Sequence, residues 1–249
     1  MTANEMATEL ELELDRSSSL GSPGYEDFDL TSVLSKAEWF FVKKFIDKKN
    51  NRKLESFEES EIRGQGLSAL LKRGISLPPS SDQVGVFSNG VYYDLPMDFM
   101  QTIEERIITD KILCNTVEDK VEASIKVVPH DKVSRWLDNK YKKPYCFDYG
   151  DALVWRLYYS REIDGSVSPA SNKRHQLITD GTFNVSDYTI TYLRKPGGIV
   201  VDNTTPANQI NSILDESTHL TIISIATDLM MDRVKEQKIQ NIEGIKDLE

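Results

Sequence analysis

Apolar residues recur at helical spacing near both ends of this chain and at strand spacing through its middle. Met6, Leu10 and Leu14 fall every four residues behind Thr2, a residue type that caps helices, and predict a helix over residues 1 to about 16. Leu10, Leu12 and Leu14 also alternate with Glu9, Glu11 and Glu13 as a strand would. The abundance of Ala, Glu, Leu and Met favours the helix. Residues 17–24, SSSLGSPG, have linker composition and make residues 1–28 a flexible acidic arm.

A second helix starts near Asp29, with Asp29 or Thr31 as cap. It carries Leu34, Ala37, Phe41 and Phe45 on one face and Trp39, Val42 and Ile46 on another. Lys43, Lys44, Lys48, Lys49, Arg52 and Lys53 follow, a charge that suits a helix C-terminus. Ser56 and Glu59 form a capping box for a third helix, with Leu67, Leu70 and Leu71 on its apolar face and Gly74 closing it. Residues 29–75 therefore read as a helical hairpin.

Beyond Pro78 and Pro79 the period changes to two. Val84–Ser88 and Val91–Asp94 flank Asn89-Gly90, a hairpin signal. The LPMDF step at 95–99 interrupts the extended run, which resumes at Thr102–Thr109. Lys120–Val128 alternates, His130–Leu137 reads as a short helix, and Asp151–Ser160 and Lys173–Thr179 read as strands. Residues 80–203 are β-rich. Within them Asp187–Leu193 is a strand that turns at Pro196-Gly197-Gly198 and leads toward the most apolar helix of the chain, about Ser217 to Gln237. That helix has Leu220, Ile223, Thr227, Met230 and Val234 on one stripe and Ile222, Ile225 and Leu229 on a second. Two stripes exceed what one covering helix needs, so it is either deeply buried in its own subunit or shared with a neighbour. The fold class is α+β: an N-terminal helical hairpin, a central, mainly antiparallel sheet or sandwich, and a long C-terminal helix with tail over 204–249, all in one domain from residue 29.

Composition narrows the function. The net charge of −10 disfavours free binding to nucleic acid through phosphate neutralisation. No run of about 20 apolar residues exists to span a bilayer, so no membrane is expected. The acidic N-terminus is unlike a secretory signal. Two cysteines, Cys114 and Cys146, at no motif spacing argue against a disulfide scaffold or zinc site.

Chemistry is hard to find. His130, His175 and His219 sit in different elements at no ligand spacing and read as surface or cap residues, so neither metal nor cofactor is expected. Pro196-Gly197-Gly198 precedes a short strand rather than a helix, a poor phosphate cradle. Asp148 and Asp151 read as a turn into a strand. Lys140, Lys142 and Lys143 interleave with Tyr141 and Tyr145 as on single-strand binding platforms, which keeps open a nucleic-acid-binding accessory protein; a small hydrolase with unrecognised acids is a further alternative.

Five passages in order resemble a known family: PGYED leading to LSKAE at 34–38; SFEESE at 56–61; YDLPMDF at 93–99; DNKYKKP at 138–144, where relatives often read NPFKKP and this chain lacks the first proline; and YTITYLRKP at 188–196 with ESTHL at 216–220. The chain resembles the head-to-tail connector ring proteins of crAss-like and related tailed phages. The resemblance covers nearly the whole chain and implies a non-enzymatic virion protein, made in the host cytoplasm. It implies a dodecameric or similar ring beneath the portal, touching the portal and other tail rings and leaving a channel for double-stranded DNA. No active site carries over. The surfaces a ring would use are expected at Trp39, Val42 and Ile46 of the second helix and at Ile222, Ile225 and Leu229 of the last, with Lys140, Lys142 and Lys143 meeting phosphate or a partner.

Overall fold

The α+β pattern is distributed over two compact units in the computed structural model, one made of Met1–Leu70 with Pro196–Glu249 and the other of Leu71–Lys195. The structure describes residues 1–17, 25–46, 65–80, 87, 89–112, 120–139, 141–146, 151–160 and 173–246.

In the first unit, Thr2 and Glu5 form a reciprocal capping box: Glu5 N–H donates to Thr2 Oγ1 at 3.3 Å and Thr2 N–H to Glu5 Oε2 at 2.7 Å. This starts α1 (Ala3–Ser17). Ala3, Met6, Ala7, Leu10 and Leu14 are buried while Leu12 is 47% exposed, the outcome of a helical rather than a strand period. The acidic arm thus lies on its own chain through residue 17. α1 packs on the last helix, α4 (His219–Lys246), where Thr227 Oγ1 donates to Glu13 at 2.9 Å.

α2 (Asp27–Ile46) begins two residues before the expected cap, with the Glu26 carbonyl accepting from Asp29 and Leu30 N–H. It buries Leu30, Val33, Leu34, Ala37, Phe41 and Val42 and also packs on α4. Its hydroxyls hold the returning chain: Ser35 Oγ accepts from Ile199 N–H at 3.0 Å and Thr31 Oγ1 from Val201 N–H at 2.9 Å. Gly198 enters this contact at φ +79°, a backbone conformation that side-chain-bearing residues rarely adopt, which is what requires glycine there.

α4 is launched by a 3₁₀ turn at Glu216–Thr218, whose N-cap Asp215 accepts from Ser217 N–H at 3.0 Å. His219, Ile222, Ile223, Ala226, Thr227 and Met230 form one wide buried stripe in place of the two stripes read from sequence. The stripe is wide because two helices of the same unit cover it. Leu220 is 63% exposed, and Ile225 and Leu229 are half-buried.

The Ser56–Glu59 box, Gly64 and the Lys48–Lys53 cluster lie outside the described residues. Leu67 and Leu70 are buried, but the helix expected to continue to Gly74 gives way at Leu71 to a strand, β1 (Leu71–Ser76), pairing antiparallel with β8 (Val185–Arg194). Pairing of Leu71 with Leu193 overrides the local helix signal, and Gly74 takes φ +63° where the register of this pair shifts.

Among the described residues, the second unit is one eight-stranded sheet. Its further strands are β2 (Gly90–Asp94), β3 (Phe99–Ile112), β4 (Lys120–Val127), β5 (Tyr145–Cys146), β6 (Ala152–Ser160) and β7 (Lys173–Ile178), in the order β1-β8-β3-β4-β6-β7-β2 with β5 beside β6. All pairs are antiparallel except β4 with β6. β8 is an interior strand between β1 and β3. Val91–Asp94 pairs with β7, while Val84–Gly85–Val86 and Ser88, the other arm of the expected hairpin, lie outside the described residues. Past β1 the chain leaves β8 and meets the opposite edge: Pro79 bridges Tyr93, and Ser80 N–H donates to the Tyr92 carbonyl at 2.7 Å. The two edges touch at this single bridge, and the curled sheet encloses its inward side chains in a barrel-like interior.

That interior holds Tyr93, Phe99, Ile107, Ala123, Val154, Leu177, Tyr188 and Ile190. Trp155, Leu157 and Ile178 point the other way, under α3 (Val133–Leu137). β6 is therefore buried on both faces.

Candidate functional site

Inward parity places four polar side chains together inside the barrel: Glu105 from β3, Arg156 from β6, His175 from β7 and Tyr188 from β8. Arg156 Nε lies 3.0 Å from Glu105 Oε2, Arg156 Nη1 2.9 Å from His175 Nε2, and His175 Nδ1 2.7 Å from Tyr188 Oη. Arginine only donates, so His175 Nε2 accepts; the proton is assigned to Nδ1, which donates to Tyr188, and Tyr188 in turn bonds Glu105. Burial raises the Glu105 carboxyl while the Arg156 charge pulls it back down. Burial and the same arginine hold the His175 imidazole down at about 3, and burial with the Glu105 charge raises the Tyr188 phenol. The quartet is a buried network that ties four strands across the barrel, joined by an ion pair and hydrogen bonds, with Glu105 Oε1 and Arg156 Nε left without a hydrogen-bond partner. A cavity of about 540 Å³ lined by Thr102, Glu105, Ile125, Val127 and Arg156 opens beside it.

His175 corrects the sequence reading, being fully buried rather than on the surface or at a cap. His219 is also buried but does sit at a cap, closing the Glu216–Thr218 turn, and its Nε2 faces the Leu214 carbonyl at 3.2 Å. His130 is exposed, with Nε2 2.6 Å from the Tyr158 carbonyl. Among the described residues no group of three His, Cys, Asp or Glu side chains could hold a metal, and no helix is long and apolar enough to cross a membrane.

Lys140 lies outside the described residues, whereas Lys142 and Lys143 are exposed and Tyr141 is 89% exposed. Trp155 Nε1 anchors this loop by donating to the Lys142 carbonyl at 3.1 Å. The Lys142 and Lys126 ammonium groups lie 5.2 and 4.5 Å from the Trp136 ring centroid, so Lys142 is held partly on its own domain by cation–π contact.

The expected subunit surface divides. Val42 and Ile222 are fully buried inside the first unit and so cannot present themselves to a neighbour; tight helix-on-helix packing takes them up. Trp39, Ile46, Ile225 and Leu229 remain half-buried. The outer face of α2 carries more than periodicity suggested. Ser32, Ser35, Lys36, Trp39, Phe40 and Lys43 line a groove of about 430 Å³, Phe40 is 52% exposed, and Phe28 at the start of the same helix is 78% exposed. Lys43 Nζ sits 5.5 Å from the Trp39 ring centroid. Sequence reasoning missed Phe28, Lys36 and Phe40; the available signal was the further aromatics Phe28, Trp39 and Phe40 in a helix whose core stripe was already complete with Leu, Val, Ala and Phe41. It also missed Glu105, Arg156 and Tyr188, whose signal was a polar residue at inward strand parity.

A family model described as phage tail ring protein 3/4 matches residues 1–237. Ring protein 4/5 of Bacteroides phage crAss001 is 24% identical over 206 residues, covering 82% of this chain and 76% of that protein. Ring protein 3 of the same phage is 22% identical over 193 residues, covering 77% and 75%. With the match running through both structural units, the chain belongs to the phage tail ring protein 3/4 family, a structural component of the virion.

Proposed function

We propose that this ring protein forms a dodecameric ring of the head-to-tail connector beneath the portal, assembling in the host cytoplasm and touching the portal and other tail rings. The observation that carries this reading is the family match over residues 1–237, which includes both the barrel and the helical unit. The aromatic outer face of α2 supplies apolar surface of the kind a subunit contact uses. A net charge of −10, repeated around a ring, disfavours adhesion of double-stranded DNA to a channel and favours its passage. Symmetry-relaxed reconstruction of the tail vertex of purified virions tests the proposal. A ring of this chain bounded by the portal on one side and tail proteins on the other is expected, and its absence from the vertex overturns the reading.

One observation favours a second reading. Tyr141, 89% exposed beside Lys142 and Lys143, presents an aromatic face among cations, as a single-strand-binding loop does. Binding of the unassembled chain to single-stranded DNA that falls steeply with salt and is lost in Lys142→Glu/Lys143→Glu would select a nucleic-acid accessory role instead.

A further inference from the structure

We propose that neighbouring copies in the ring meet through the helical unit, the outer face of α2 on one copy receiving the outer face of α1 from the next; this rests on the ring reading above. The two faces are complementary in both apolar and charged character. On α1 the buried stripe leaves Glu5, Thr8, Leu12, Asp15 and, in the last turn, Arg16 exposed, with Glu9 at the margin and Leu12 as an exposed apolar residue on a mainly acidic face. On α2 the exposed residues are mainly aromatic and basic, Phe28, Lys36, Phe40, Lys43 and Lys44 with Asp29 near its start, and Lys36, Phe40 and Lys43 border a groove beside Trp39. Leu12 fits that groove as the apolar anchor, and Glu9 and Asp15 then face Lys36 and Lys43. The 20 residues of α2 span about 30 Å, enough to seat the roughly 22 Å of α1's 15 residues side by side.

The alternatives on the same surfaces are disfavoured by charge and by symmetry. Pairing α2 with α2 sets Lys36 and Lys43 against their own copies, and pairing α1 with α1 does the same for the acids. Each is also a two-fold contact that closes a dimer, whereas a ring needs two different patches related by a rotation that closes. An acidic helix of another virion protein is the remaining competitor for the α2 groove.

Disulfide trapping in full chains carrying Cys114→Ser and Cys146→Ser decides among these, with the variants supplied during infection in place of the phage's own copy. Leu12→Cys with Phe40→Cys in one chain is expected to give an oxidised ladder rising to the full ring, while either substitution alone stays monomeric. Both positions are exposed, so folding is preserved. A dimer from Leu12→Cys alone or Phe40→Cys alone overturns the proposal in favour of a two-fold contact. A Phe40→Cys cross-link to a different virion protein overturns it in favour of that partner. Rings visible by electron microscopy without a ladder overturn this contact and leave the ring reading standing; virions lacking any ring of this chain remove the ring reading itself. As a second arm, Lys36→Glu/Lys43→Glu is expected to cut incorporation into virions at least tenfold with an unchanged melting temperature. Adding Glu9→Lys/Asp15→Lys to the same chain is expected to restore incorporation, and failure of that rescue counts against the pairing.

Discussion

Acidification from pH 7 to 5 will destabilise the barrel through His175, by an amount that follows from its surroundings. The ring is fully buried on β7, and Arg156, Glu105, Tyr188, Tyr158 and Phe99 face it. Burial first and the Arg156 charge second hold its pKa near 3, against the ordinary 6.5 of the unfolded chain. Between those values the unfolded chain binds a proton that the folded barrel refuses. The contribution to stability is therefore complete above pH 6.5 and is lost progressively as pH falls toward 3. An imidazole of pKa 6.5 passes from roughly one-quarter to nearly full protonation between pH 7 and 5, and integrating that uptake gives a loss of about 2 kcal/mol. Glu38 and Glu105 act with the opposite sign. Burial raises both, so each favours the unfolded chain when ionised and relieves it on acidification. The clean quantity is the difference between wild type and His175→Gln, which removes the titration and keeps an amide able to accept and donate. Urea unfolding at pH 5, 6 and 7, followed by the emission of Trp136 and Trp155 of the barrel unit in a Trp39→Phe background, measures it. Wild type should lose about 2 kcal/mol more than His175→Gln over this range. Parallel pH profiles for the two proteins would refute the reasoning, because they would mean that His175 accepts a proton in the fold.

The same network makes a second prediction. Glu105→Ala leaves Arg156 without its carboxylate and is expected to cost about 3–5 kcal/mol in urea unfolding, while Glu105→Leu/Arg156→Leu costs clearly less because no buried charge is left alone. In the helical unit, Leu10→Ala removes a fully buried side chain from the α1–α4 contact and is expected to cost about 2–5 kcal/mol, seen as a lowered midpoint in thermal circular dichroism. Gly198→Ala forces a side chain into φ +79° with Ser35 Oγ 3.4 Å away and is expected to cost about 1–3 kcal/mol by the same measurement.

Local patterning carried the element inventory of this protein. The strands over 99–112, 120–127, 152–160, 173–178 and 185–194 and the helices at 3–17, 27–46 and 219–246 all correspond to stretches whose apolar period was legible, because side-chain period is set by backbone geometry alone. The order of five short passages pointed to the family for the same reason: it is a property of the string. What the string could not decide is what lies opposite what. Leu71 carries a helix-compatible pattern and becomes a strand because Leu193 offers it a ladder. Ile222 and Val42 read as surplus apolar surface and are consumed by helix packing, while Phe28, Phe40, Leu12 and Leu220 are among the large apolar residues these helices leave exposed. Glu105, Arg156, His175 and Tyr188 are separated by up to 83 residues in sequence and meet only because the sheet closes on itself. Periodicity fixes which side of an element faces inward; only the packing of elements decides which interior that is and which face remains for a partner.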